Sequence, residues 1–269
     1  MPVAALAAAL RRTGQSLRRH APSLCEVCRR WGGRLCPDCL ARFAAPAPRC
    51  RRCGLRLGAE APRCGECLGR PPPFERTVCA VDYAFPWDRL ITAFKFGQQV
   101  DLAAPLAALL ARAVERAGPP RPPSPPRPPS PPSPPSAPSA PCLLDPAPAL
   151  LLPVPLSDAR LRQRGYNQAR ELARHLSAET GVPTCADGLR RLIDTPAQAG
   201  LTRAERQCNL RAAFVADSQQ RSSWQGRRVV LVDDVMTTGA TLREGAAVLL
   251  ASGAAAVEVW VLARTPAPA

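Results

Sequence analysis

Residues 228–242 read Arg-Val-Val-Leu-Val-Asp-Asp-Val-Met-Thr-Thr-Gly-Ala-Thr-Leu, and few folds can house that order. Val229 to Val232 form a short apolar run rich in β-branched residues, which fits a strand buried on both faces of a parallel sheet. The run ends in two adjacent carboxylates, Asp233 and Asp234. Thr237, Thr238, Gly239, Ala240 and Thr241 follow, and then helical spacing through Leu242, Ala246, Leu249 and Leu250. A strand that passes through a Gly/Thr turn into a helix gathers unpaired N–H groups and the positive end of the helix dipole, which together make an anion site. Two carboxylates do not suit a bare anion. They suit a sugar phosphate, whose hydroxyls they accept from while the turn holds the phosphate. The bland alternative is a buried strand whose acids cap a helix.

Upstream, eight of the twelve cysteines fall into four Cys-x-x-Cys pairs: Cys25/Cys28, Cys36/Cys39, Cys50/Cys53 and Cys64/Cys67. Each pair places two sulfurs on one face of a knuckle, and two knuckles complete a tetrahedral all-sulfur zinc site. Short intervening loops favour pairing first with second and third with fourth, giving two structural Zn2+ ions in a tandem ribbon over 25–70. An interleaved pairing is also open. One such pair alone reads as a redox motif or coincidence; four in succession, outside any strand–helix context, do not. Little apolar material accompanies them, so metal is expected to supply most of the folding free energy there. Cys79, Cys142, Cys185 and Cys208 lack a partner motif.

The formal charge of +15 permits a phosphorylated or nucleic-acid ligand. Two zinc–thiolate centres of net −2 each would lower it to about +11. Arginine supplies 35 of the 36 basic residues, so abundant Ala, Pro and Arg point to codon bias as much as to function. Against that background the single lysine, Lys95 in Ala93-Phe-Lys-Phe-Gly97, stands out as a compact charge suited to phosphate. A chance lysine is the alternative. No apolar run nears the ~18 residues of a membrane span, and the start reads as an amphipathic lead-in (1–24) rather than a secretory leader. The expected compartment is the cytoplasm.

From Thr77 the texture becomes that of an α/β domain. Thr77 to Phe85 alternates as a strand, Asp88 is placed to cap a helix through Leu90, Ile91 and Phe94, and 102–117 is strongly helical. Residues 119–141 are almost wholly Pro and Ser, and read as a disordered surface insertion or a proline-motif ligand. Leu150 to Leu156 resumes as a strand. Arg160, Arg162, Arg164, Gly165, Asn167 and Gln168 follow at a second strand–loop–helix junction, where guanidinium forks and helix N–H groups can meet a polyanion. A solvated basic loop is the alternative. Ala256 to Leu262 alternates as a closing strand.

These stretches carry a resemblance. Asp-Asp-Val-Met-Thr-Thr-Gly-Ala-Thr resembles the phosphoribosyl-pyrophosphate loop of type I phosphoribosyltransferases. With Leu-Pro-Val-Pro-Leu, Arg-x-Arg-Gly-Tyr-Asn-Gln, Gln198-Ala-Gly-Leu201, Arg206, Asn209, Ala213-Phe214, Phe-Lys-Phe and the four cysteine pairs, the chain is similar to the ComF family from Cys25 to Arg264. The proline insertion is the main departure. The resemblance implies an α/β fold: a Rossmann-like parallel-sheet type I phosphoribosyltransferase domain over 77–264 behind an N-terminal tandem zinc ribbon with four cysteines to each metal. It implies Asp233 and Asp234 on the ribose hydroxyls, Thr237 to Thr241 on the 5′-phosphate, and Arg164, Gly165 and Asn167 on the pyrophosphate side. Arg160 and Lys95 lend charge, and Arg190 to Arg211 close over the ligand. Mg2+ comes with the substrate, held largely by the substrate's oxygens and water.

Purine-salvage relatives place a general-base aspartate where this chain has Thr237, so the acceptor and its base are not identified. The expected function is binding of phosphoribosyl pyrophosphate and transfer of its phosphoribosyl group, in natural competence and DNA uptake. The alternative is a non-catalytic module in which ribbons and basic surface hold single-stranded DNA or a competence-machinery partner. Trp31 and Phe43 are the aromatics expected to be free for stacking there.

Overall fold

The computed structural model describes residues 23–58, 61–118, 149–192 and 213–267. The expectations for 1–22, for the 119–141 insertion, for Cys142 and Cys208, and for most of the segment 190–211 lie outside the described residues.

Two short helices belong to the cysteine-rich part, α1 (Pro37–Phe43) and α2 (Gly65–Gly69). Then come β1 (Arg76–Asp82), α3 (Trp87–Phe96), α4 (Ala103–Ala117), β2 (Leu150–Pro153), α5 (Asp158–Arg164) and α6 (Gln168–Thr180). A small ladder, β3 (Leu189–Arg191) and β4 (Phe214–Ala216), precedes β5 (Arg228–Met236), α7 (Ala240–Ala251) and β6 (Ala256–Arg264). Four strands form one sheet in the order β1-β6-β5-β2, with every neighbouring pair parallel. β3 and β4 pair antiparallel.

A parallel sheet is covered on both faces, and this one shows why. One face packs Phe94, Leu106, Leu110, Leu172 and Leu176 of α3, α4 and α6 against Val230 and Val232. The other packs Leu242, Ala246 and Leu249 of α7, together with Trp224 and the four cysteines Cys50, Cys53, Cys64 and Cys67, against Val229 and Leu231. The second cysteine cluster is therefore part of the domain core. The first is a satellite: Cys25, Cys36 and Cys39 form their own small cluster, with Val27 and Phe43 bridging it to the α3/α4 side.

Five expectations need correction. The sequence of Thr77 to Phe85 and of Ala256 to Leu262 predicts alternating strands, yet β1 is buried at five consecutive positions and β6 at eight. Helices cover one side, and the second cysteine cluster covers the other side of β1. Asp88 does not cap α3: the helix starts at Trp87 after Pro86, and the Asp88 carboxylate accepts from the N–H of Arg89 (2.8 Å). The basic stretch after β2 is a helix, α5, whose N–H at Arg160 is capped by Ser157 Oγ (3.4 Å). Phe43 is half-buried, edge-on to Phe85 (5.8 Å), and its carbonyl accepts from Trp87 Nε1 (2.8 Å). Trp31, 70% exposed, fits its expectation.

Candidate substrate site and metal centres

The eight thiols gather as first pair with second and third with fourth, and in each set the sulfurs lie within 4.8 Å of one another. A tetrahedral all-sulfur centre with metal–sulfur bonds of ~2.3 Å spaces its sulfurs about 3.8 Å apart. Cys28–Cys36 stands at 3.7 Å and Cys53–Cys64 at 3.6 Å, so both sets fit zinc. Electrostatics agree. Burial raises the Cys25 thiol, but amide N–H groups at Cys36, Cys28 and Val27 outweigh it and bring the group down to about 6. At Cys50, too, burial raises the thiol but N–H groups at Cys53, Cys64 and Arg52 outweigh it, to about 7, while burial and then the Cys50 charge push Cys53 up to about 11. Four crowded sulfurs cannot all ionise alone, and a divalent cation removes that conflict. Cys28 is the one exposed ligand; the second cluster is buried throughout.

The second site lies at the carboxyl ends of β5 and β2, where ligands of open α/β sheets sit. β5 continues past its apolar run, so Asp233 and Asp234 fall just before its last two residues, on opposite faces by the strand's period of two. Asp233 is half-buried and its Oδ1 accepts the N–H of Asp234 (2.8 Å). Burial, then the neighbouring Asp234 charge, push the Asp233 carboxyl up to about 7, against the pull of Lys95. Asp234 is buried, and its Oδ1 pairs with Lys95 Nζ of α3 at 2.8 Å. Lys95 thus meets a carboxylate of the doublet.

Beyond β5 the chain turns at Gly239, which has φ +76° and forms the N-cap of α7. Thr237 and Thr238 are exposed, Gly239 buried, Ala240 and Thr241 half-buried. A Cβ at Gly239 would approach Met236 Cε to 2.4 Å, and its backbone lies where L-residues are strained by about 1–2 kcal/mol. Gly239→Ala is expected to lower stability by about that amount and to weaken any phosphate held at the turn; chemical denaturation and calorimetry check both. A variant as stable and as tight-binding as the parent would remove the turn's special role.

α5, the Gly165 bend (φ +80°) and α6 bring the second motif alongside. Arg160 and Arg164 share one face of α5 at i, i+4. The Arg164 guanidinium sits 4.8 Å over the Phe96 ring and donates to Gln168 Oε1 (3.0 Å); burial lowers its pKa, opposed first by the charge of Asp234. Tyr166 Oη donates to the carbonyl of Phe94, and Gln168 Nε2 reaches the carbonyl of Lys95 (3.4 Å). Phe-Lys-Phe and Arg-Gly-Tyr-Asn-Gln, far apart in sequence, are clamped together. Asn167 is engaged at both ends of its amide: Oδ1 caps α6 at the N–H of Arg170 (3.2 Å) and Nδ2 donates to the carbonyl of Val154 (3.0 Å). Its place is that of a brace.

Sequence reasoning named three residues within its motifs without finding what they touch. Phe96, 60% exposed, supports Arg164. Gln168, 1% exposed, ties the motifs together. Arg191 of β3 lies close enough for its charge to oppose the rise of Asp233. Membership of the Phe-Lys-Phe and Arg-Gly-Tyr-Asn-Gln motifs and of the 190–211 segment was the signal available for them.

A parallel sheet, an acidic doublet followed by a Thr/Gly turn at a helix N-terminus, and paired Cys-x-x-Cys knuckles define a phosphoribosyltransferase-type α/β protein with a zinc-ribbon appendage. Comparison with known proteins agrees. The family described as phosphoribosyl transferase domain matches residues 146–269. The DNA utilization protein YhgH of Escherichia coli K12 is 33% identical over 250 residues, covering 91% of this chain and 98% of that one. Competence protein F of Haemophilus influenzae is 34% identical over 230 residues (86% and 90%), and Competence protein ComFC of Bacillus subtilis 37% over 117 (43% and 45%). The chain belongs to the ComF family.

Proposed function

We propose that the protein binds phosphoribosyl pyrophosphate with Mg2+ at the carboxyl edge of the sheet and transfers the phosphoribosyl group to an acceptor, in the service of DNA utilization. One observation carries this reading. The acidic doublet, the Thr237–Thr241 turn and the Arg164 face converge on one rim, where the N-terminus of α7 starts. The turn would hold the 5′-phosphate and Asp233 and Asp234 the ribose hydroxyls. A carboxylate accepts at both oxygens, so the Lys95 pair at Oδ1 leaves Asp234 able to take part. Arg164 and Arg160 would face the pyrophosphate.

An aspartate of the doublet could lend one donor to a substrate-borne Mg2+, which when bound would supply charge to offset the leaving pyrophosphate. The C1′–O bond breaks as pyrophosphate departs and a bond from C1′ to the acceptor forms, with the chain fixing the ring and the departing charge. Two zinc ions would sit in the two four-cysteine clusters. No described helix is long and apolar enough to cross a membrane, and the proposed place of action is the cytoplasm.

Calorimetry with phosphoribosyl pyrophosphate, with and without Mg2+, tests the binding step, and pyrophosphate release across bases, amines and DNA tests transfer. An absence of binding in both calorimetric arms would end the proposal. The pH dependence is a sharper check. Asp233 has its folded pKa raised from an ordinary ~3.9 to about 7, so this group stabilises the unliganded fold below pH ~4 and loses that contribution as pH rises through 7. Ribose hydroxyls need the carboxylate. Affinity should therefore climb by up to about tenfold per pH unit below 7 and level off above it. Any slope that survives in Asp233→Asn belongs to the ligand's own phosphate; an unchanged slope would clear Asp233 of the role.

A second reading has its own observation. Trp31 is 70% exposed on the first cluster's knuckle, beside exposed Arg30, which is a stacking platform with charge for single-stranded DNA. Trp31→Ala should weaken binding to a single-stranded oligonucleotide by about 1–3 kcal/mol with zinc content unchanged. Equal affinity of parent and variant would remove the platform.

A further inference from the structure

The phosphate turn is fastened to the second cysteine cluster by one side chain, Arg264 at the end of β6. Its Nη1 lies within hydrogen-bond reach of three carbonyls: Met236 (3.2 Å), Thr237, and Thr265 (2.8 Å). Its Nε donates to the carbonyl of Cys53 (3.1 Å), in the Cys50–Cys53 knuckle. Nε and Nη1 therefore both donate to backbone. A planar fork with fixed donor directions holds such carbonyls in one geometry, which a lysine cannot do. The knuckle is itself seated firmly. Thr77 Oγ1 donates to the carbonyl of Arg52 (2.6 Å), and a Cβ on Gly54 would come within 3.0 Å of Thr77 Cγ2. All four sulfurs belong to the same core as Met236 and Leu242, the residues that flank the turn. Arg243 of α7 also faces Glu66 of the second knuckle at 3.9 Å. The first cluster makes no contact of this kind with the turn among the described residues.

We propose that Arg264 is a positioning residue for the phosphate turn, and that metal in the second four-cysteine cluster sets the turn's conformation through it. The proposal rests on the reading of that turn as the phosphate site, and deepens it. By linkage the coupling runs both ways, so a phosphate bound at the turn should slow metal loss from the second cluster.

The test uses the full chain with both zinc ions in place. In Arg264→Gln, amide hydrogen exchange over residues 236–242 should accelerate at least tenfold while zinc content stays at two per chain. Arg264→Lys should behave like the glutamine variant. Cys28→Ser, which disables only the first cluster, should leave exchange at the turn unchanged. Unaltered exchange in Arg264→Gln, or equal acceleration in Cys28→Ser, would overturn the proposal. None of these readouts needs a ligand. A second arm follows zinc transfer to a chromogenic chelator with and without ribose 5-phosphate: retardation of the slower phase in the parent, absent in Arg264→Gln, is expected. If the turn loosens as stated but the parent binds no ribose 5-phosphate, the coupling stands and the phosphate reading falls.

Discussion

Asp234→Asn should abolish ribose-dependent affinity and at the same time cost the fold about 3 kcal/mol. The second effect comes from Lys95. Its side chain is 18% exposed, and its ammonium meets the carboxylate of Asp234, whose side chain is 9% exposed, at 2.8 Å. Removing one member of a buried pair strands the other, and that penalty exceeds what the pair contributes when intact. Lost affinity in the single variant would then mix two causes. The Lys95→Gln/Asp234→Asn double variant separates them, because it leaves no lone charge. It should recover most of the stability measured by urea denaturation and none of the ribose-dependent binding. A double variant that binds phosphoribosyl pyrophosphate like the parent would strip Asp234 of its assigned partner and leave the Lys95 pair as architecture.

The two cysteine clusters should respond unequally to loss of a ligand. Cys67→Ser opens the cluster that packs with Val229, Leu231 and Leu242. Structural zinc is worth about 10–16 kcal/mol in small peptides, which equals or exceeds the ~5–15 kcal/mol stability of a whole domain. The variant should therefore fail to melt cooperatively or to accumulate as folded protein. Cys28→Ser opens the satellite, where among the described residues Cys25, Cys36 and Cys39 form the buried cluster with Val27 and Phe43 alongside. It should keep one zinc and a cooperative transition, with the melting temperature lowered by a few degrees. Zinc quantification and calorimetric melting of the two variants give the comparison. Indistinguishable behaviour would contradict the division into a core cluster and a satellite.

The sequence showed most where local chemistry decides structure. Val229 to Val232, the acids, the threonines and Gly239 announce strand, rim and turn in order, because a buried parallel strand and an N-terminal anion turn each tolerate few residue types. Cysteine spacing gave the clusters for the same reason, since a knuckle closes only at short range. What stayed hidden depends on residues that meet across the fold. Nothing near Lys95 indicates that it meets Asp234, or that Gln168 and Tyr166 clamp its helix. β1 and β6 looked alternating because their second face is covered by segments far along the chain. Glu258 illustrates it: a carboxylate in mid-strand reads as solvent-facing, yet it is buried, with Arg76 Nη2 at 2.6 Å and Trp260 Nε1 at 2.8 Å. Arg264 gives no sign of its role, because an arginine after a strand usually means only that the strand has reached water.

The place where the chain leaves α4 and re-enters at β2 also has a use. It departs at Gly118, whose carbonyl is held by Arg76 at the start of β1 (3.0 Å), and returns at Ala149, just before β2 opens opposite Val229. Both points lie at the amino-terminal rim, across the sheet from the acids and threonines. A fluorophore, an affinity handle or a fused reporter spliced between them would hang from the back of the molecule, where it could track the protein in a cell without shading the ligand's door.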